Sequence, residues 1–205
     1  MTSYNKFIKH AEKVTKSASD ARPVLKGVHH ATNGDVYATD SHRLYYLSGG
    51  YPEGLDFTLD TKTGAHIEGN YPEVTRLFPY EDDAVVTLSI DVKKTHEAVK
   101  MLATAEKKIN DGGKLALLTI GVGTDCYEIK NGSTDGDFSG SYKIAEYDGD
   151  GLPNIYINAQ YLKEALALLA DSGESSATIR LYSPMRPLTI KNSDTTALIL
   201  PVRKI

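Results

Sequence analysis

Apolar residues recur at helical spacing near the start of the chain. Phe7, Ala11, Val14 and Ala18 predict a helix from about Tyr4 to Ser17. Arg22-Pro23 breaks that pattern, because the residue before a proline is pushed towards extended backbone. Short strands are then expected at Val24 to His30, Asp35 to Thr39 and Arg43 to Leu47, with Asn33-Gly34 as a hairpin turn between the first two. Residues 55 to 78 have weak periodicity, with a hairpin around Thr61 to Gly64 and a turn at Asn70-Tyr71-Pro72. After a linker at Pro79-Tyr80-Glu81-Asp82-Asp83 the pattern sharpens. Val85 to Ile90 reads as a strand and Val92 to Ile109 as a helix, ended by Asp111-Gly112-Gly113, which opens a hairpin. Strands follow at Leu115 to Val122, Cys126 to Lys130 and Gly140 to Ala145, then a loop at Asp148-Gly149-Asp150-Gly151-Leu152-Pro153. The order then repeats: strand Ile155 to Ile157, helix Ala159 to Ala170, and strands at Thr178 to Tyr182, Leu188 to Lys191 and Ala197 to Pro201. Residues 84 to 205 therefore read as strand-helix-three-strands, twice, an internally duplicated α+β arrangement. The region before them holds one such half-module and little of a second. Two domains are expected, residues 1–79 and 80–205.

Charge changes this picture on the helices. The chain has 23 Lys+Arg against 27 Asp+Glu, a formal charge of -4. Any DNA contact must then come from basic residues gathered on one face. Lys6, Lys9, Lys13 and Lys16 share one face of the first helix, opposite Phe7, Ala11 and Val14. Lys93, Lys100 and Lys107 form a stripe on the second, opposite Val99, Leu102, Ala105 and Ile109. The third helix carries only Lys163. The stripes fit a phosphate-tracking surface without sequence preference, and equally an ordinary solvated face. The single Cys126 allows no intrachain disulfide, which suits a reducing cytoplasm. No membrane span and no secretory signal is expected.

Catalytic and metal readings fare poorly. Asp40-Ser41-His42 sets three triad-type side chains in a row, but adjacent residues in a strand or turn point apart. His29-His30 has the same difficulty as a metal pair. Asp148-Gly-Asp150-Gly lacks the bidentate glutamate of a calcium loop, and no phosphate-binding glycine motif occurs. Neither an enzyme nor a cofactor is expected.

Three segments matter together: Arg22-Pro-Val-Leu-Lys-Gly-Val28 with Ala38-Thr-Asp-Ser-His-Arg-Leu44; Asn70-Tyr-Pro-Glu-Val-Thr-Arg-Leu-Phe-Pro79; and Ala197-Leu-Ile-Leu-Pro-Val-Arg203. In this order they resemble the second and third domains of bacterial sliding clamps, the DNA polymerase III beta subunit family. Tyr156 to Leu169 is similar to the last domain's second helix and its preceding strand. The resemblance implies a DNA-clamp-type α+β fold, and it has departures. The family has three domains and closes as a six-domain ring, whereas no first domain is visible here. No second helix of the second domain is visible between Tyr51 and Ile67. Ser41 replaces a motif glycine, and Lys204-Ile205 extends the final motif.

In the family these segments converge on an apolar pocket that accepts partner peptides. Carried over, the pocket comprises Leu25, Thr39, His42, Arg43, Leu44 and Pro79, with Leu198, Leu200, Pro201, Val202 and Arg203 from the last strand. Leu25, Leu44, Pro79, Leu200 and Val202 would form the floor, and Thr39, Arg43 and Arg203 would orient the peptide. Alternation at Leu198, Leu200 and Val202 also fits a strand with one buried face. Leu200 and Val202, standing where the family has methionines, would narrow the peptides accepted. The expected role is a replication accessory in the cytoplasm. It would tether a DNA polymerase or another replication or repair protein at double-stranded DNA, in a salt-sensitive manner and as a ring-like homo-oligomer. The competing reading is a peptide-binding adaptor or decoy that never encircles DNA.

Overall fold

The computed structural model of the protein describes residues 2–109, 115–131, 139–147 and 151–203. The expected turn at Asp111-Gly112-Gly113, the first half of the loop from Asp148 to Pro153 and the Lys204-Ile205 extension lie outside them. The chain begins with α1 (Tyr4–Thr15), β1 (Gly27–His30), β2 (Val36–Thr39), β3 (Arg43–Leu47) and β4 (Phe57–Asp60). A second run follows: β5 (Val86–Asp91), α2 (Val92–Ile109), β6 (Leu117–Val122), β7 (Cys126–Asn131) and β8 (Ser141–Glu146). It ends with β9 (Ile155–Asn158), α3 (Ala159–Asp171), β10 (Ser176–Leu181), β11 (Leu188–Lys191) and β12 (Thr195–Ile199).

The helix starts follow local chemistry. Asp91 at the end of β5 accepts the Lys94 N–H (3.0 Å), capping α2. Asn158 at the end of β9 accepts those of Gln160 and Tyr161 (2.9 and 3.4 Å), capping α3. The stretch before β1 differs from expectation. Pro23–Lys26 forms a 3-10 turn with proline at its start, so the strand begins only at Gly27. The hairpin around Thr61 to Gly64 is present, with the Asp60 carboxylate holding the N–H groups of Lys62 and Thr63 (2.9 and 2.8 Å). The strand that enters it, β4, had not been expected.

The strands pair antiparallel in two sheets, β4-β1-β2-β3-β12-β11-β10-β5 and β8-β7-β6-β9. The repeat is visible in this order. After α1, three strands run in sequence and the next strand returns to pair with the first of them, giving β4-β1-β2-β3; after α2 the same path gives β9-β6-β7-β8. After α3, β10-β11-β12 take the same positions and β5 fills the fourth. One half-module thus precedes the strap described below, and two follow it. The seam is the β3–β12 pairing, with Leu44 opposite Leu198 and Arg43 opposite Ile199.

Strand alternation sends one row of the large sheet inward. Ala38, Tyr45, Ala197, Ile190, Ile179 and Leu88 lie in register and are all buried in the main core. Phe7, Ala11 and Val14 of α1 and Leu162, Ala165, Leu166 and Leu169 of α3 fill the same core. The neighbouring row, Thr39, Leu44, Leu198, Thr189 and Arg180, faces the other way. Residues 61–85 form a strap across this second face. Tyr71 stacks flat on His29 (4.5 Å, 6°), and Val74 is buried with Tyr37, Leu44 and Leu198. Phe78 leans on Tyr46 (5.7 Å), and Glu81 pairs with Arg180 and Lys191 (both 2.6 Å).

His30 points to the other side of β1 from His29. It is 1% exposed, packs on Phe57 (4.4 Å) and bonds the Tyr4 hydroxyl through Nε2 (2.8 Å). Burial lowers its pKa to about 4. The unfolded chain, with an ordinary histidine near 6.5, therefore binds the proton more readily than the folded one. Stability is full above about pH 6.5 and is lost as pH falls towards about 4, by roughly 3 kcal/mol. Urea unfolding from pH 7.5 to 4.5 checks this: His30→Gln should flatten the acid slope, and an unchanged slope would assign it elsewhere.

Candidate functional site

The loop joining β2 to β3 is built around Asp40. Its Oδ1 accepts the N–H groups of His42 (2.9 Å) and Arg43 (3.0 Å). Ser41 takes a left-handed φ of 76°, a conformation that favours glycine. Thr39 closes the loop by donating its hydroxyl to the Arg43 carbonyl (2.7 Å). The turn before β1 leans on the same loop through Arg22, whose Nη1 donates to Ser41 Oγ (3.2 Å). The last strand then passes alongside. The Leu200 N–H donates to the His42 carbonyl (2.9 Å), and the Val202 N–H to the Tyr156 carbonyl (2.7 Å). Residues 39–44 and 198–203, about 155 positions apart, so meet at the seam.

The site residues divide by depth. His42 and Arg203 are exposed, Leu200 is 37% exposed, and Pro79, Pro201 and Val202 are half-buried. Leu25, Thr39, Leu44 and Leu198 are buried, the two facing leucines beneath Val74. The floor at Leu44 and Leu198 is therefore covered by the strap. Beside it, strap and sheet border an open cavity of about 430 Å³ lined by Tyr37, Tyr46, Phe78, Pro79, Tyr182 and Lys191. The Tyr37 and Tyr46 hydroxyls both donate to Asp35 Oδ2 (3.2 Å each). Burial, and then the Asp35 carboxylate, push the Tyr37 phenol well above its ordinary pKa.

Arg43 corrects the sequence reading. Its side chain does not face outward to orient a peptide; it is 2% exposed and committed inward. Nε pairs with Asp40 (3.0 Å), Nη1 with Glu164 of α3, and Nη2 donates to the Lys13 carbonyl of α1 (3.2 Å). The Tyr161 ring lies over the guanidinium (4.3 Å). Arg43 is a strut tying β3 to α1 and α3. Tyr161, which sequence reasoning missed, supplies the ring next to His42 (6.4 Å between centroids). Its signal was its place in the first turn of α3, directly after the Asn158 cap.

The triad-type side chains diverge: Asp40 faces Arg43, Ser41 faces Arg22, and His42 faces Tyr161. Among the described residues no group of three His, Cys, Asp or Glu could hold a metal ion, and no helix is long and apolar enough to cross a membrane.

α3 packs between α1 and α2. These three helices contain nine lysines and five carboxylates, a charge of +4. Since the whole chain carries -4, everything outside them carries -8. Lys6, Lys9, Lys13, Lys16, Lys93, Lys100 and Lys107 are all exposed. Lys6 donates to the Asp171 carbonyl (2.8 Å), Lys9 pairs with the Asp171 carboxylate (3.5 Å) and Lys16 with Glu12 (2.7 Å).

No protein-family model matches the chain. It is 28% identical over 141 residues to the beta sliding clamp of Staphylococcus aureus, covering 67% of this chain and 35% of that protein. It is 24% identical over 241 residues to that of Streptococcus pneumoniae, covering 91% and 59%. The DNA polymerase sliding clamp of Bacillus subtilis superposes with a TM-score of 0.78 at 19% identity, covering all of this chain and 64% of that one. The DNA polymerase III beta chain of Streptococcus pneumoniae gives 0.76 at 20% identity, covering 98% and 64%. The chain spans less than two thirds of each of these relatives. The expected clamp-type α+β fold is thus shown, and the sequence is similar to beta sliding clamps over the stretches given.

Proposed function

We propose that the protein is a sliding-clamp-like accessory of DNA replication that binds and does not catalyse. It holds a short peptide of a DNA polymerase, or of another replication or repair protein, at the β3–β12 seam. It turns its helix layer to double-stranded DNA. The observation that carries this reading is the convergence of residues 39–44, the strap at Val74 and residues 198–203 on one seam. Leu200, Pro201 and Val202 offer apolar surface beside His42 and Tyr161, with Arg203 as the available cation. Such a groove needs few anchors to bind. The segregation of +4 onto the helices supports the DNA side.

A second reading, a peptide-binding adaptor that does not encircle DNA, is favoured by one observation. Three of the four α1 stripe lysines are already engaged within the chain. Both readings share the peptide site, so that is tested first. A clamp-binding peptide of a bacterial DNA polymerase is titrated by fluorescence anisotropy. Leu200→Ala with Arg203→Ala should weaken binding by roughly a hundredfold and leave the unfolding midpoint in place. Unchanged affinity would remove the site assignment. DNA titration at low salt separates the readings, since the adaptor predicts no binding there.

A further inference from the structure

The strap borders a second, open cavity, of about 630 Å³, over β1 and β4. The peptide reading makes no use of it. Its walls include Tyr37, Tyr71 and the imidazole of His29, while the Phe57 ring turns to the other face of the sheet, against His30 and Tyr51. Two carboxylates, Asp56 and Glu73, also line it, and no lysine or arginine does. They come from opposite sides, Asp56 from the residue before β4 and Glu73 from the strap. Both favour a positive charge at the His29 ring. Burial nevertheless holds the His29 imidazole below its ordinary pKa. Glu73 is fixed in place by Thr75, whose N–H donates to Oε1 (3.2 Å).

We propose that this cavity binds an organic cation, a guanidinium or ammonium group on an alkyl chain. A cation here gains twice. Its charge meets two carboxylates, of which Glu73 also feels Arg76 outside the wall, and its hydrocarbon and charge lie against the Tyr37 and Tyr71 rings, where aromatic quadrupoles attract positive groups. A neutral amide would keep the shape and lose most of this. The rings are held for the purpose by the sheet and strap: Tyr71 lies flat on His29, and Tyr37 is stacked on Tyr46 (5.2 Å). The cation could be an arginine or lysine side chain of a partner protein, or a free polyamine.

The test uses the full chain and aromatic NMR spectra. Nα-acetyl-arginine methylamide, its neutral citrulline isostere and spermidine are titrated separately. The arginine probe should shift the resonances of His29, Tyr37 and Tyr71, with the citrulline probe roughly tenfold weaker or worse. Asp56→Asn with Glu73→Gln should remove the difference, and both residues are exposed, so the fold tolerates the change. Stronger binding of spermidine than of the arginine probe would assign the site to a free polyamine; the reverse would assign it to a protein side chain. Equal binding of the arginine and citrulline probes, shifts outside this cavity, or no effect of the double variant would overturn the proposal. The same variant should leave the peptide titration at the seam unchanged, so the two readings fail separately.

Discussion

Arg43→Ala is expected to destabilise the protein by about 3–5 kcal/mol, because it leaves two buried carboxylates without their cation. Asp40 is 4% exposed and Glu164 is 9% exposed, and both pair with this one guanidinium. Burying an ionised carboxylate without a partner costs far more than a good pair gains. The change also removes the bond to the Lys13 carbonyl and the contact with the Tyr161 ring, so α1, β3 and α3 loosen together. Urea unfolding monitored by far-UV circular dichroism measures the loss. Adding Asp40→Asn and Glu164→Gln to an Arg43→Met chain should recover part of it, since the unpaired charges are gone. A loss below about 0.5 kcal/mol for Arg43→Ala would show that the strut is dispensable.

The second large effect concerns DNA. Lys93, Lys100 and Lys107 changed to glutamate should weaken binding to a random duplex by roughly 10²- to 10³-fold near 0.1 M salt, through lost phosphate contacts. All three are exposed along α2 and carry no backbone role, so the fold should persist. The clearer signature is the salt dependence. Each phosphate contact contributes about 0.9 to the slope of log affinity against log salt, so the triple variant should lose about 3 from that slope. An identical slope would place DNA on another face. Absence of binding by the unmodified chain at low salt would leave only the adaptor reading.

Much of the fold was legible because the periodic segments are strong. The bounds of α2 follow the pattern residue for residue, and β11 does likewise. Where periodicity was weak, the reading missed an element. β4 is a short edge strand whose side chains are mostly half-buried, so Phe57-Thr-Leu-Asp60 shows no clean alternation. The return of β4 onto β1 is a tertiary decision that no local signal announces. The site was legible as a set of segments but not as a depth profile. Arg43 reads as a surface cation by type, and only the folded chain brings Glu164, 121 positions away, against it. The covering of Leu44 and Leu198 by Val74 depends on the path of the strap, a stretch with little pattern of its own. The charge stripes were read correctly as exposed helix faces. Their pairing with Asp171 could not be seen, because it depends on α1 packing beside α3.

The central claim is that the seam holds the partner peptide, and hydrogen exchange of the full chain with and without a saturating clamp-binding peptide tests it most directly. The account predicts added protection at residues 39–44, 74–79 and 198–203, with α1 and α2 unchanged. No added protection at saturation, or protection confined to the helix layer, would contradict it.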